Sequence, residues 1–265
     1  MELKDTYEKT SIHSGWQSAY RNNSIQARFN EKLMDRFVKA LGAGPGDYFL
    51  DAGCGSGDHL IRLARRGFRC VGVDISHHIL EKAERAIEAA GLQSLASVEC
   101  QPLEGLGFAD GTFDHVHCRG VLMHIPEWEA ALRQLVRVLK PGGRIVILEA
   151  NRSSLEAHVV ALVRRLTRRK SRLVETEGGL EFWAEVDGAP FVVRMADMKF
   201  LAGWLESHGL KVVDRLATEF WDINRFPGGP IRNGSIHFNR LWFSLGLPAS
   251  PCSGNALVAE KVAES

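Results

Sequence analysis

A dominant charge of one sign is missing from this 265-residue chain: 33 Lys and Arg face 32 Asp and Glu, a formal net charge of +1. No global field therefore argues for nucleic acid or an acidic surface as partner. Long hydrophobic runs are missing too. No stretch approaches the roughly 18–20 apolar residues of a membrane span, and the polar start Met1-Glu2-Leu3-Lys4-Asp5 has no apolar core of a signal peptide. No integral membrane segment is expected. Cysteine is scarce and odd in number, with Cys54, Cys70, Cys100, Cys118 and Cys252 spread without metal-ligand spacing. Four of them fall in or beside expected strands, where a free thiol acts as a small buried hydrophobe; a reducing, cytoplasmic location fits. No His/Asp/Asn set has the spacing of a Mg²⁺ site, so no metal is expected. Apolar residues make up 45% and charged residues 25% of the chain, ordinary for a globular domain.

What is present is a glycine turn. Phe49-Leu50-Asp51-Ala52-Gly53-Cys54-Gly55-Ser56-Gly57 runs from a short apolar strand into the helix-forming stretch His59 to Arg66, and Cys70-Val71-Gly72-Val73-Asp74 is a second apolar run that ends on a carboxylate. Glycine lets a ligand approach the backbone closely and tolerates positive φ. An acid at the carboxyl end of the second strand can accept hydrogen bonds from ribose hydroxyls. The unit therefore reads as a nucleoside site. The dinucleotide fingerprint is G-x-G-x-x-G, facing a pyrophosphate. Here the spacing is Gly53-x-Gly55-x-Gly57, with Asp58 in place of the third glycine and Asp51 ahead of the turn. Carboxylates there would repel a pyrophosphate and suit an ammonium or sulfonium group. A nicotinamide dehydrogenase loses on this spacing.

With Leu50–Gly57 and Asp74 in place, the chain resembles the class I (Rossmann-like) S-adenosylmethionine-dependent methyltransferases of small-molecule type. Three further segments carry the resemblance in order: Gly107–Asp114, similar to the family's L-P-F-x-D-x-S-F-D; Arg119–Pro126, similar to v-L-x-H-i-x-d; and Arg137–Arg144, similar to R-v-L-K-P-G-G. The resemblance implies an α/β fold: a seven-stranded, mostly parallel sheet with an antiparallel last strand, helices on both faces and lid insertions. It implies S-adenosyl-L-methionine as cofactor, held by Asp51, Gly53, Gly55, Gly57, Asp74, Ile75, Leu103, Cys118 and Arg119, with S-adenosyl-L-homocysteine as product. In the family the motif acid orders the methionine ammonium and the glycine turn accommodates the methionine moiety. Pro102 departs from the pattern. It stands where the family usually has an aspartate for the adenine amine, and it has neither carboxylate nor N–H, so Leu103 N–H, with Gln101 or Glu104, is left to meet the base.

The chain divides into an N-terminal helical cap (1–44), a cofactor-binding core (45–150), a lid insertion with a basic helix and a hairpin (151–195), and a completion of the core with a second lid loop at about 219–253 (196–265). The cap reads as two helical pieces about a polar break at Asn22-Asn23-Ser24, the second with Ile25, Phe29, Leu33, Phe37 and Leu41 at helical spacing; Tyr7, Trp16 and Tyr20 could line a lid or merely pack. Expected strands are Tyr48–Ala52, Arg69–Val73, Ser97–Gln101, Asp114–Cys118, Arg144–Glu149, Lys211–Leu216 and Asn255–Val262. Expected helices are Ile79–Ala90, Trp128–Leu139, the basic Ser153–Val174 and Asp197–Ser207. In an open sheet the ligand lies beyond the strands' carboxyl ends, which gathers Asp51, Asp74, Gln101, Cys118 and Glu149 at one crevice.

Direct displacement at a sulfonium needs positioning and desolvation above all, and a base only when the acceptor must lose a proton. His124 is the candidate catalytic base, with bracing of its loop as the competing role. His115 and His117, alternating on one strand, read as buried structural groups; His158 and His237 lie in the lid regions. The 164–172 cations are a solvated face, a site for an acidic carrier or phosphorylated substrate, or a membrane-surface patch. The expected function is methyl transfer to an oxygen or nitrogen of a small, aromatic or apolar molecule. The alternatives are a C-methyltransferase of quinone, lipid or prenyl type, or a non-catalytic cofactor-binding partner protein. The N-P-P-Y-type tetrapeptide of many amino-group methylases is missing after strand four, so macromolecular substrates rank lower. The sequence leaves the oligomeric state open.

Overall fold

The first described helix, Ser24–Leu41 (α1), buries Phe29, Leu33, Phe37 and Leu41 at intervals of four, one stripe of an amphipathic helix. The structure is a computed structural model that describes residues 24–166, 173–186, 188–226 and 229–263. Tyr7, Trp16 and Tyr20 lie outside the described residues. After α1 the chain alternates: Tyr48–Ala52 (β1), Asp58–Ala64 (α2), Arg69–Asp74 (β2), His77–Ala89 (α3), Ala96–Cys100 (β3), Phe113–Arg119 (β4), Trp128–Val138 (α4) and Leu139–Ala150 (β5). Then come Leu155–Leu166 (α5), Leu173–Thr176 (β6), Gly179–Val186 (β7), Ala189–Ala196 (β8), Met198–Ser207 (α6), Leu210–Glu219 (β9), Pro230–Ser244 (α7) and Gly254–Lys261 (β10).

Seven strands form one sheet in the order β3-β2-β1-β4-β5-β10-β9. The pairings among the first five strands are parallel, and β10 runs antiparallel to both β5 and β9. Alternating residues of each strand face opposite layers. Leu50 joins a core built with α4 and α6, while Phe49 joins one built with α1, α2 and α3. Burial on both faces is why the strands read as continuous apolar runs. The strand order reverses at β1, so the crevice opens at the carboxyl ends of β1 and β4.

Three expectations need correction. Strand five begins at Leu139, not Arg144, because Gly143 lets it pass against β4. A Cβ at Gly143 would lie 2.6 Å from the Asp114 carbonyl oxygen, so the family's glycine pair keeps the ladder intact through a register shift. The basic helix does not run from Ser153 to Val174. It starts at Leu155, where the Ser154 hydroxyl accepts the Ala157 N–H at 3.1 Å as an N-cap. Leu173 and Val174 belong to β6, part of a separate three-stranded sheet β6-β7-β8; residues 167–172 lie outside the described residues. Finally, the supposed loop at 219–253 contains the 15-residue helix α7, opened by Pro230, whose fixed φ and absent N–H suit a first helical position.

Candidate active site

The turn after β1 is held from beneath. The Gly53 and Cys54 N–H groups both donate to the Val73 carbonyl of β2, at 2.8 and 2.9 Å. Gly53 sits at φ +70°, and a Cβ there would lie 2.6 Å from Cγ1 of Val121, with Cγ2 closer still. The loop that follows β4 therefore packs directly on the glycine turn, and only glycine fits between them. Asp74 closes the other side. Its Oδ2 accepts the Gly55 N–H at 3.0 Å and its Oδ1 the Ser76 N–H at 3.1 Å. A carboxylate has about four lone-pair sites, so holding the turn is compatible with meeting ribose hydroxyls.

Asp51, 2% exposed, lies behind the turn. Its Oδ1 accepts a hydrogen bond from His117 Nδ1–H at 2.7 Å. Its Oδ2 makes no hydrogen bond among the described residues. A buried, unpartnered carboxylate oxygen costs about 1–3 kcal/mol, a cost that a donor-bearing ligand at this turn would offset. The residues therefore fit a nucleoside carrying a cationic group.

At the end of β4, Arg119 is no surface residue. Its guanidinium donates to Asn30 Oδ1 at 3.3 Å and to His59 Nε2 at 3.1 Å, and faces Glu219 at 3.5 Å. Burial holds His59 well below its usual range, with Arg119 adding to the effect. Burial pushes Glu219 up to about 7, against the pull of Arg119. Cys118 is fully buried in the core and its thiol is pushed far up by burial, so its side chain is packing and only its backbone borders the crevice. Ile75 is half-buried and its carbonyl accepts the Cys100 S–H at 3.4 Å. Leu103 is buried in a short 3₁₀ turn, Leu103–Gly105, that follows extended Pro102. Gln101 donates to Glu99 and accepts the Gly107 N–H, so its amide shapes this loop.

His124 turns the other way. It donates from Nδ1 to the Val192 carbonyl of β8 at 3.0 Å and packs on Phe191; burial lowers it to about 4. Two further groups hold the same loop: Glu149, placed at the crevice as a strand-end acid, and Arg194, which the sequence did not mark. Glu149, 2% exposed at the end of β5, accepts the Leu122 N–H at 3.2 Å, and burial raises its carboxyl to about 8. Arg194 of β8, 3% exposed, pairs with Glu181 at 2.8 Å and donates to the Leu122 and Ile125 carbonyls at 2.9 and 3.1 Å. Leu122, Trp128, Glu149, Gly178 and Arg194 line a small cleft with room for about one water-sized molecule. His158 bonds its own helix through the Ser154 carbonyl, His115 pairs with Asp47 at 3.0 Å, and His237 is exposed. Among the described residues no His/Cys/Asp/Glu group is arranged to hold a metal.

Residues 50–147 match the family model for a methyltransferase domain. The protein named "Probable methyltransferase ltbC" from Aspergillus luteorubrus is 31% identical over 242 residues, 83% of this chain and 80% of that protein. The chain belongs to the class I S-adenosylmethionine-dependent methyltransferase family. A demethylmenaquinone methyltransferase of Symbiobacterium thermophilum is 35% identical over 49% of this chain. The chain spans 53% of that relative and 66% of another, methyltransferase GfsG of Streptomyces halstedii. The magnesium protoporphyrin IX methyltransferase of Synechocystis, solved with bound S-adenosylhomocysteine, shares the fold at TM-score 0.64 and 18% identity, covering 98% of each chain.

The chain brings Asp51, the three glycines, Asp74 and Arg119 to one crevice, with Ile75 and Leu103 at the β2–β3 side. His124, in the loop after β4, is held against β8 through the Val192 carbonyl. Glu149 could be found in the sequence as a strand-end acid. Arg194 and Glu219 gave no signal, because their partners come from elements far away in the chain.

Proposed function

We propose that the protein transfers the methyl group of S-adenosyl-L-methionine by direct displacement to an oxygen or nitrogen of a small, aromatic or apolar molecule. The observation that carries this reading is the pair of acids about the glycine turn, with one Asp51 oxygen buried and unpartnered. Asp51 would meet the methionine ammonium, the turn the methionine chain, Asp74 the ribose hydroxyls, and Ile75 with Leu103 the adenine. The bound cofactor supplies an activated methyl on a sulfonium with a good leaving group. The chain supplies position and dryness. Glu219, half-buried beside Arg119 and raised by desolvation to about 7, takes the proton of a hydroxyl or ammonium acceptor. His124, held to Val192 and poorly basic, braces the loop. The five free cysteines support a reducing, cytoplasmic setting.

The demethylmenaquinone relative favours a second reading, a carbon acceptor on a quinone or prenyl-bearing ring. A non-catalytic role, binding the cofactor as a partner protein, is the third. Incubation with methyl-labelled cofactor and a panel of phenols, amines and quinols separates them. Label on a phenol or amine with a kcat/KM step near pH 7 that Glu219→Gln removes supports the first. Label on ring carbon supports the second. Tight cofactor binding with no transfer to any acceptor supports the third.

A further inference from the structure

Charge is distributed unevenly in this near-neutral chain. Residues 157–174 carry Arg164, Arg165, Arg168, Arg169, Lys170 and Arg172 and no acid; residues 223–259 carry Arg225, Arg232 and Arg240 and no acid. The first stretch is the helical part of the insertion at 151–195, whose hairpin carries Glu175, Glu177, Glu181 and Glu185, and the second spans most of the insertion at 219–253; both insertions leave the sheet at its carboxyl edge, after Ala150 of β5 and Glu219 of β9. The start of α5 is tied to the segment ahead of α7. Arg225 pairs with Glu156 of α5, and the Glu156 carboxylate also accepts the Asp222 N–H at 2.6 Å.

Each insertion has a helix that turns apolar residues outward. On α5, Leu155, Val159, Leu162, Val163 and Leu166 are 44–74% exposed, at spacings of four, three, one and three that form one face. On α7, Ile231, Phe238, Leu241 and Leu245, the last in its C-terminal cap, are 40–62% exposed and follow the same periodicity. Arg165 is exposed beside the first stripe. Apolar stripes in cation-rich sequence, with the one acid of the two helices, Glu156, buried and paired with Arg225, are what an interfacial helix presents to a lipid surface. Other surfaces fit worse: a nucleic acid offers little for two apolar stripes, and a second copy would set two cationic faces against each other.

We propose that α5 and α7 form a docking face for an anionic phospholipid bilayer, which sets the mouth of the active site on the membrane. The apolar stripes enter the headgroup boundary, and the described cations beside them, Arg165 and Arg240, meet lipid phosphates. The face rests on the two insertions alone and does not depend on the assignment of the acceptor. It makes a substrate dissolved in the bilayer accessible without a membrane-spanning helix, and no described helix is long and apolar enough to span one.

Vesicle flotation of the full chain tests this, with phosphatidylcholine alone and with phosphatidylcholine containing phosphatidylglycerol. At about 0.1 M salt the anionic vesicles should retain at least about tenfold more protein, and the difference should shrink at 0.5 M salt. Leu162→Glu with Leu166→Glu should abolish retention, Leu241→Glu should weaken it several-fold, and neither should shift the melting temperature or S-adenosylhomocysteine binding. Arg165→Gln with Arg240→Gln should weaken the preference for anionic lipid. Failure of the unaltered protein to float with anionic vesicles overturns the proposal. So does retention unchanged by the Leu→Glu variants, or a dimer in light scattering that the same variants dissociate. Absence of cofactor binding would sink the methyltransferase reading and leave this result standing.

Discussion

Replacing Glu149 with Gln should stabilise the protein, and the gain should grow with pH. Glu149 is buried beneath the loop after β4 and its carboxyl is raised by burial from 4.5 to about 8, with Arg194 offsetting part of the effect. An acid with a raised folded pKa must take up a proton to fold wherever the unfolded chain would release it. Below pH 4.5 both states are protonated and nothing is lost. From there to pH 8 folding loses about 1.4 kcal/mol per pH unit at this site. Between pH 6 and pH 8 this amounts to about 2 kcal/mol. Glutamine keeps an oxygen to accept the Leu122 N–H and carries no titrating proton. Urea unfolding of both proteins at the two pH values, two-state by coincident fluorescence and circular dichroism, measures the difference. Other titrating groups, Glu219 included, are common to both proteins and cancel. A gap between variant and parent that is the same at pH 6 and pH 8 refutes the reasoning.

Gly53→Ala should destabilise by more than the ~1–2 kcal/mol of a left-handed residue, because its methyl meets Val121; adding Val121→Ala should restore part of the loss, read as a positive coupling in a double-mutant cycle. Arg194→Met should lose about 3–5 kcal/mol in urea unfolding, since it strands buried Glu181 and leaves the Leu122 and Ile125 carbonyls without donors. Adding Glu181→Leu should recover most of that loss. Phe37→Ala, which empties a site in the α1 core, should lose about 3–5 kcal/mol with little effect on cofactor affinity.

The core was legible wherever chemistry is local. Glycines with acids at fixed spacing marked the turn and Asp74, and apolar runs between helical stretches marked β1 to β4 and their helices. Legibility fell where the signal is tertiary. Strand five extends through Lys140–Gly143 because Gly143 passes against the Asp114 carbonyl, a contact across 29 positions that no local propensity encodes. Helix α7 was hidden by Asn233, Gly234 and Ser235, poor helix formers; its buried residues Ile236 and Asn239 hold it, with Asn239 bonding the backbone of Phe220 and Trp221. Arg194 reads as one charged residue in a hairpin until the fold brings β8 under the loop after β4. His124 has the motif position of a base, and only the Val192 carbonyl and its burial give it a different chemistry.

The central claim is that the paired acids and the glycine turn form a site for a sulfonium nucleoside. Titration calorimetry of S-adenosylhomocysteine into the full chain tests it most directly, with Asp74→Ala as the comparison. The account predicts binding at one site per chain, at least about tenfold weaker when the Asp74 hydrogen bonds are removed, and no heat from NADH. A chain that stays folded and binds NADH but not S-adenosylhomocysteine would contradict it.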